Sequence, residues 1–207
     1  MKIFIHTSSS RFQFLLIWIA LVILSVGCSK DDPKKEDTPE LITKATLTFT
    51  PTGGGTAVVV SATDPDGEGV QNIAVDGAID LVMGTQYVLT IDLLNTLVTA
   101  GQPGYSITEE VEEEGDEHMI FFSWTGDVFQ VPSGNGNIDN RGDAVDYVDL
   151  DGNSRPVGLI TTWTASSSVA AGTFRVLLKH QPDLKTDTSG SAVGETDLDL
   201  TFTINVN

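Results

Sequence analysis

From residue 41 onward, apolar and polar positions alternate in short runs that are broken by clusters of Gly, Asp, Asn and Pro. A period of two marks a half-buried strand, because successive side chains of an extended chain point to opposite faces. Leu41, Ala45, Leu47 and Phe49 fall on one side of the first run, which closes at Pro51 and a glycine triplet. Residues 56–62 form a second run, ended by Asp64-Pro65-Asp66-Gly67, and residues 87–93 a third with its odd positions apolar. Residues 118–124, 145–150, 157–164 and 172–180 read the same way. In the last run Leu198, Leu200, Phe202, Ile204 and Val206 share one face, and Asp197, Asp199, Thr201, Thr203 and Asn205 the other. No window sustains an apolar helical period over three turns. The nearest, residues 91–99, is rich in β-branched side chains that are stiff in a helix. The pattern predicts an all-β fold: one antiparallel β-sandwich domain over residues 41–207, immunoglobulin-like or jelly-roll-like.

The N-terminal segment has a different pattern. Lys2 and Arg11 precede a continuous apolar run at residues 14–24, shorter than the roughly 20 residues a membrane span needs and in proportion to a secretory signal. It ends in Leu24-Ser25-Val26-Gly27-Cys28, with Cys28 the single cysteine of the chain. These residues resemble a bacterial lipoprotein signal, with Ser25 where the common pattern has leucine. The resemblance implies that residues 1–27 are removed and that Cys28 is lipidated, making the membrane a partner through that anchor. Residues 28–40 are charged, contain proline and lack apolar periodicity, which predicts a flexible acidic tether.

Charge narrows the range of partners. The chain has 11 basic and 29 acidic side chains, a net −18. Loss of residues 1–27 removes Lys2 and Arg11 and no acid, leaving nine basic against 29 acidic side chains, a net −20. Such a surface repels phosphate backbones and excludes nucleic acid as a partner. Cations, sugars and basic partners remain.

Residues 108–118 concentrate the acidity, with seven carboxylates in eleven positions and His118 at the end. A run of like charge is ordinarily a solvated loop. It also concentrates cations, and a histidine beside it adds a nitrogen donor that transition metals favour. Beyond residue 27 there are two histidines, His118 and His180. Both lie on apolar faces, His118 with Ile120, Phe122 and Trp124, and His180 with Phe174, Val176 and Leu178. One opens its strand and the other closes its own, so antiparallel pairing would bring both imidazoles to the same end of the sandwich. Together with Glu117 or Glu114 they would form a two-histidine, one-carboxylate site suited to zinc or copper. The competing reading is a pair of histidines that cap strand ends by bonding to backbone.

Other candidates carry less. Asp64-Pro65-Asp66-Gly67 and the aspartates of residues 146–153 contain fragments of calcium loops, but neither has the twelve-residue loop with its terminal Glu. Hairpin turns explain them better, and calcium is the lesser cofactor expectation. Trp124, Trp163, Tyr105 and Tyr147 would make a sugar platform if exposed, yet Trp124 shares the face of Ile120 and Phe122 and belongs to the core. A nucleophile elbow, a phosphate-binding glycine loop and a zinc-hydrolase helix motif are all missing from the sequence, so a non-catalytic role is expected.

Several segments taken together resemble small acidic surface lipoproteins of Bacteroidota. They are Leu47-Thr48-Phe49-Thr50-Pro51 with its glycine run, Asp64-Pro65-Asp66-Gly67, residues 107–118, His180-Gln181-Pro182 and Gly194-Glu195-Thr196-Asp197. The resemblance covers most of residues 41–207 and implies an outer-membrane address facing the cell exterior. Some members of that group carry the label of a type 1 periplasmic binding fold, whose strands alternate with long helices in two lobes; this sequence has no such helices. The expectation is a lipid-anchored module that binds a divalent metal through His118, His180 and Glu117 or Glu114 and serves an outer-membrane transporter. The alternative is a structural or adhesive surface module without a specific metal site.

Overall fold

The computed structural model describes residues 40–67, 72–136 and 145–207. The signal, Cys28 and residues 28–39 of the tether lie outside the described residues. In chain order the elements are β1 (Lys44–Pro51), β2 (Val58–Thr63), β3 (Ala74–Asp76), β4 (Ile79–Leu81), β5 (Gln86–Leu94), α1 (Ile107–Glu113), β6 (His118–Trp124), β7 (Phe129–Val131), β8 (Asp146–Tyr147), β9 (Ile160–Ala165), β10 (Ala170–His180) and β11 (Glu195–Val206). They build an all-β sandwich of two sheets. One runs β3-β2-β1-β5-β9-β7, with β8 also paired to β9, and the other runs β4-β11-β10-β6. Among the described residues all strand pairings are antiparallel except β4 with β11.

The alternation in the sequence becomes the interior of the sandwich. Ala45, Leu47 and Phe49 of β1, Leu89, Ile91 and Leu93 of β5, and Leu198, Leu200, Phe202, Ile204 and Val206 of β11 are buried in one core. Each of these larger side chains contributes about 1.5–3 kcal/mol on leaving water. Aromatic rings fill the half of that core nearest the Pro51 end of β1. Trp163 packs edge-on against Trp124 at 5.1 Å, against Phe174 at 5.1 Å and against Phe122 at 5.5 Å. The sugar-platform candidates Trp124 and Trp163 are therefore core residues, 1% and 0% exposed. Tyr147 lies partly buried and donates its hydroxyl proton to Ile120 O at 3.0 Å.

Two expectations are corrected. Residues 108–118 are not a loop throughout, because Ile107–Glu113 forms the short helix α1, capped by the Ser106 hydroxyl accepting from Glu109 N. Only Ile107 and Val111, one turn apart, bury side chains there, too short a pattern to show as helical periodicity. The strand expected at residues 145–150 is reduced to Asp146–Tyr147. The reason lies in Asp149, whose carboxylate accepts from the backbone N–H groups of Gly158, Leu159 and Ile160. Past Tyr147 the pairing continues only as Val148 N to Ile160 O, Val157 N to Asp149 O and an isolated Leu150–Pro156 bridge. The strands β3, β4 and β7, three residues each, are too short to show a period, and the sequence pattern does not single them out.

The aspartate-rich turns likewise serve the backbone. Asp64 Oδ1 accepts from Asp66 N and Gly67 N, and Asp151 Oδ1 from Asn153 N and Arg155 N. Local side-chain bonds of this kind are how aspartate sets a turn.

Candidate metal centre

His118 and His180 face each other across the β6–β10 ladder as Cα partners. Both side chains point into the sandwich, as the alternation of their strands requires. The rings stack at 4.6 Å between centroids and 4° between planes, and the residues are 0% and 1% exposed. The two histidines singled out in the sequence are thus one buried pair at one end of the fold.

Carboxylates flank the pair on both sides. Glu117 Oε2 lies 3.5 Å from His180 Nε2, and Asp197 Oδ2 lies 3.8 Å from His118 Nε2. The side chains of His118 and Asp197 are fully buried. Two triads result, each with its donor atoms within 4.8 Å of one another: His118, His180 and Asp197, and Glu114, Glu117 and His180. All four residues expected from the sequence, His118, His180, Glu117 and Glu114, are brought together, and Asp197 joins them.

The sequence pattern puts Asp197 on the solvent face of β11. A bulge reverses it. Leu178 pairs with Leu198, but the next residue, Lys179, pairs with Thr196, so Asp197 is the extra residue of β11. A bulge re-aims a side chain, and here it turns the carboxylate inward beside the buried Leu198. Nothing in the alternation of residues 195–206 signals this inserted position.

The surrounding chain fixes these side chains. The turn after α1 brings Glu117 N and His118 N to Glu114 O at 2.8 and 3.2 Å, and Gln181 N reaches Glu117 O at 2.6 Å. Lys185 donates from Nζ to Gly115 O at 2.6 Å and pairs with Asp151 at 3.1 Å, both side chains fully buried. On the other side Gly194 has φ +77°, and a Cβ there would overlap His180 O. Only glycine allows that approach without strain.

Tautomer and distance bear on the chemistry. His118 Nδ1 lies 3.2 Å from Glu114 O, and a carbonyl oxygen only accepts, so Nδ1 carries the hydrogen. In the neutral ring the lone pair is then on Nε2, facing Asp197. This is how a metal-binding histidine is commonly held, its far nitrogen donating to a carbonyl. The nitrogen–carboxylate separations of 3.5 and 3.8 Å exceed the roughly 2.7–2.9 Å of a charge-assisted hydrogen bond. They approach the spacing of about 3.3 Å between two donors on one tetrahedral ion with bonds of about 2.0–2.1 Å. His180 Nε2 and Asp197 Oδ2 are buried and make no hydrogen bond, which is costly for polar atoms.

The electrostatics also favour a cation. Burial is the main force raising the Asp197 carboxyl to about 6, against the opposing pull of His180, the Glu40 N–H and Lys179. Glu40 is pushed up to about 8, first by burial and then by its bond to Glu110 and the charges of Glu110, Asp197 and Glu114. Its N–H donates to Asp197 Oδ1 at 3.3 Å. A cleft of about 260 Å³ lined by Glu40, Asp64, Ile73 and Asp197 brings solvent to the edge of the cluster. Carboxylates crowded in this way relieve their repulsion by taking up protons or a cation.

No known family model, curated protein or solved structure matches this chain.

Proposed function

We propose that the protein is a non-catalytic binding module that captures a divalent transition-metal ion, zinc or copper, with His118, His180, Asp197 and Glu117 as donors and Glu114 beside them. The observation that carries this reading is the spacing of the stacked histidines and their two carboxylates, too long for hydrogen bonds and close to the spacing of ligands on one ion. Two nitrogens with carboxylate oxygens suit zinc and copper better than calcium, which takes six to eight oxygens. The lipoprotein signal at Cys28 and the acidic tether, read from sequence, complete the proposal: a lipid-anchored module facing the cell exterior that loads an outer-membrane transporter.

The second reading is structural, with two imidazoliums each paired to a carboxylate and no metal. The same pairs, His118 with Asp197 and His180 with Glu117, support it. Calorimetric titration of the protein with zinc and copper separates the two. Stoichiometric binding that disappears in the His118→Ala/His180→Ala double variant is expected of a metal centre, and no binding by the wild-type protein would leave the structural reading.

A further inference from the structure

The two triads meet at His180. One adds a second imidazole and one carboxylate, His118 and Asp197, and the other adds two carboxylates, Glu114 and Glu117. We propose that these are two positions for a single metal ion, filled one at a time, with His180 shared between them; this rests on the metal-binding reading above.

A neutral imidazole has one lone pair, since one ring nitrogen carries hydrogen. His180 therefore binds one ion, and filling both triads at once would require the imidazolate. His180 Nε2 is buried without a hydrogen bond, so an ion bound there displaces no hydrogen-bond partner of that atom. An ion held by His180 can exchange His118 and Asp197 for Glu117 and Glu114 without leaving the protein, because each alternative donor lies within 4.8 Å of the others in its set.

The two positions differ in kind. The nitrogen-rich one lies between two fully buried side chains, His118 and Asp197, and two imidazoles suit zinc and copper. The oxygen-rich one includes the half-buried Glu114 at the end of α1, and two carboxylates accept harder ions such as manganese. Glu114 belongs to both, since its carbonyl orients the His118 ring while its carboxylate serves the other triad.

The test compares zinc, manganese and cobalt binding by the full chain and by three variants whose folding is checked by thermal melting. Asp197→Asn weakens the nitrogen-rich position, Glu117→Gln the oxygen-rich one, and His180→Ala removes the shared donor. The wild-type protein is expected to bind one ion in total. Asp197→Asn is expected to retain manganese while its preference for zinc falls by about tenfold or more, the scale on which a changed ligand environment acts. Glu117→Gln should shift the preference the opposite way, and their cobalt complexes should differ in visible spectrum, intense for few-coordinate nitrogen-rich cobalt and faint for oxygen-rich cobalt. His180→Ala should bind none of the three. Two ions on the wild-type protein, or identical losses and spectra in Asp197→Asn and Glu117→Gln, would overturn the shared-donor proposal and leave metal binding standing. No binding by the wild-type protein would overturn both.

Discussion

The two ends of this sandwich are filled with opposite materials. At the end where β1 finishes and β10 begins, the core is aromatic, with Phe49, Tyr87, Trp124, Phe129, Trp163 and Phe174 in mutual contact. Three of the connections there, residues 52–57, 82–85 and 166–169, contain no charged side chain, the turn at residues 125–128 carries Asp127 alone, and Val82 and Val169 are exposed at their tips. At the other end the interior holds a histidine pair, carboxylates and the buried Lys185–Asp151 pair. One end is packed for stability. The other contains polar groups that cost stability unless each finds a partner.

The contrast breaks most severely at the aromatic end. Trp163→Ala should cost about 3–5 kcal/mol in denaturant unfolding, while the zinc affinity of the folded fraction stays unchanged. Next comes the ligand effect at the histidine end. Zinc at a hundred times its dissociation constant should raise wild-type stability by about 2.7 kcal/mol, measured as a melting shift, and the His118→Ala/His180→Ala variant should show none.

A backbone change beside the site comes third. Gly194→Ala, forced to keep a positive φ against His180 O, should destabilise the protein by about 1–3 kcal/mol and also weaken zinc binding, because it displaces the strand end that carries His180. The pH dependence of the metal-free protein is the fourth. Asp197, at 3.8 when unfolded and about 6 when folded, and Glu40, at 4.5 and about 8, hold their protons more tightly in the folded state. Their contribution is therefore present below about pH 4 and lost as pH rises through 6 and then 8. Melting temperatures should fall over that range without metal and fall less with zinc present, because a bound cation replaces the protons. The smallest effect is expected at the uncharged tips, where Val169→Ser should change stability by no more than about 0.5 kcal/mol and leave metal binding untouched.

The two ends also differ in how much of them could be read from the sequence. Period two identified β1, β5 and β11 because each has one buried face, while β6 and the second half of β10 are buried on both faces and were legible as apolar runs, with residues 118–124 coinciding with β6. The same alternation placed His118 and His180 on core faces, and antiparallel pairing then brought them together. Asp197 escaped because its inward position depends on a bulge, a register defect fixed by the fit of β11 against β10 rather than by local composition. Helix α1 escaped because its buried positions are only Ile107 and Val111, set within a run of glutamates that reads as solvated. Burial of Glu117 likewise depends on a long-range contact, Gln181 N to Glu117 O.

Crystals of the protein grown with zinc, with anomalous diffraction recorded at the zinc edge, test most directly whether the histidine end is a metal centre. The expected result is a single peak about 2.0–2.1 Å from a nitrogen of His180 and bonded to Asp197 or Glu117 carboxylate oxygen. A zinc-soaked crystal with no peak at the histidine pair, and with each imidazole hydrogen-bonded directly to its carboxylate, would contradict it.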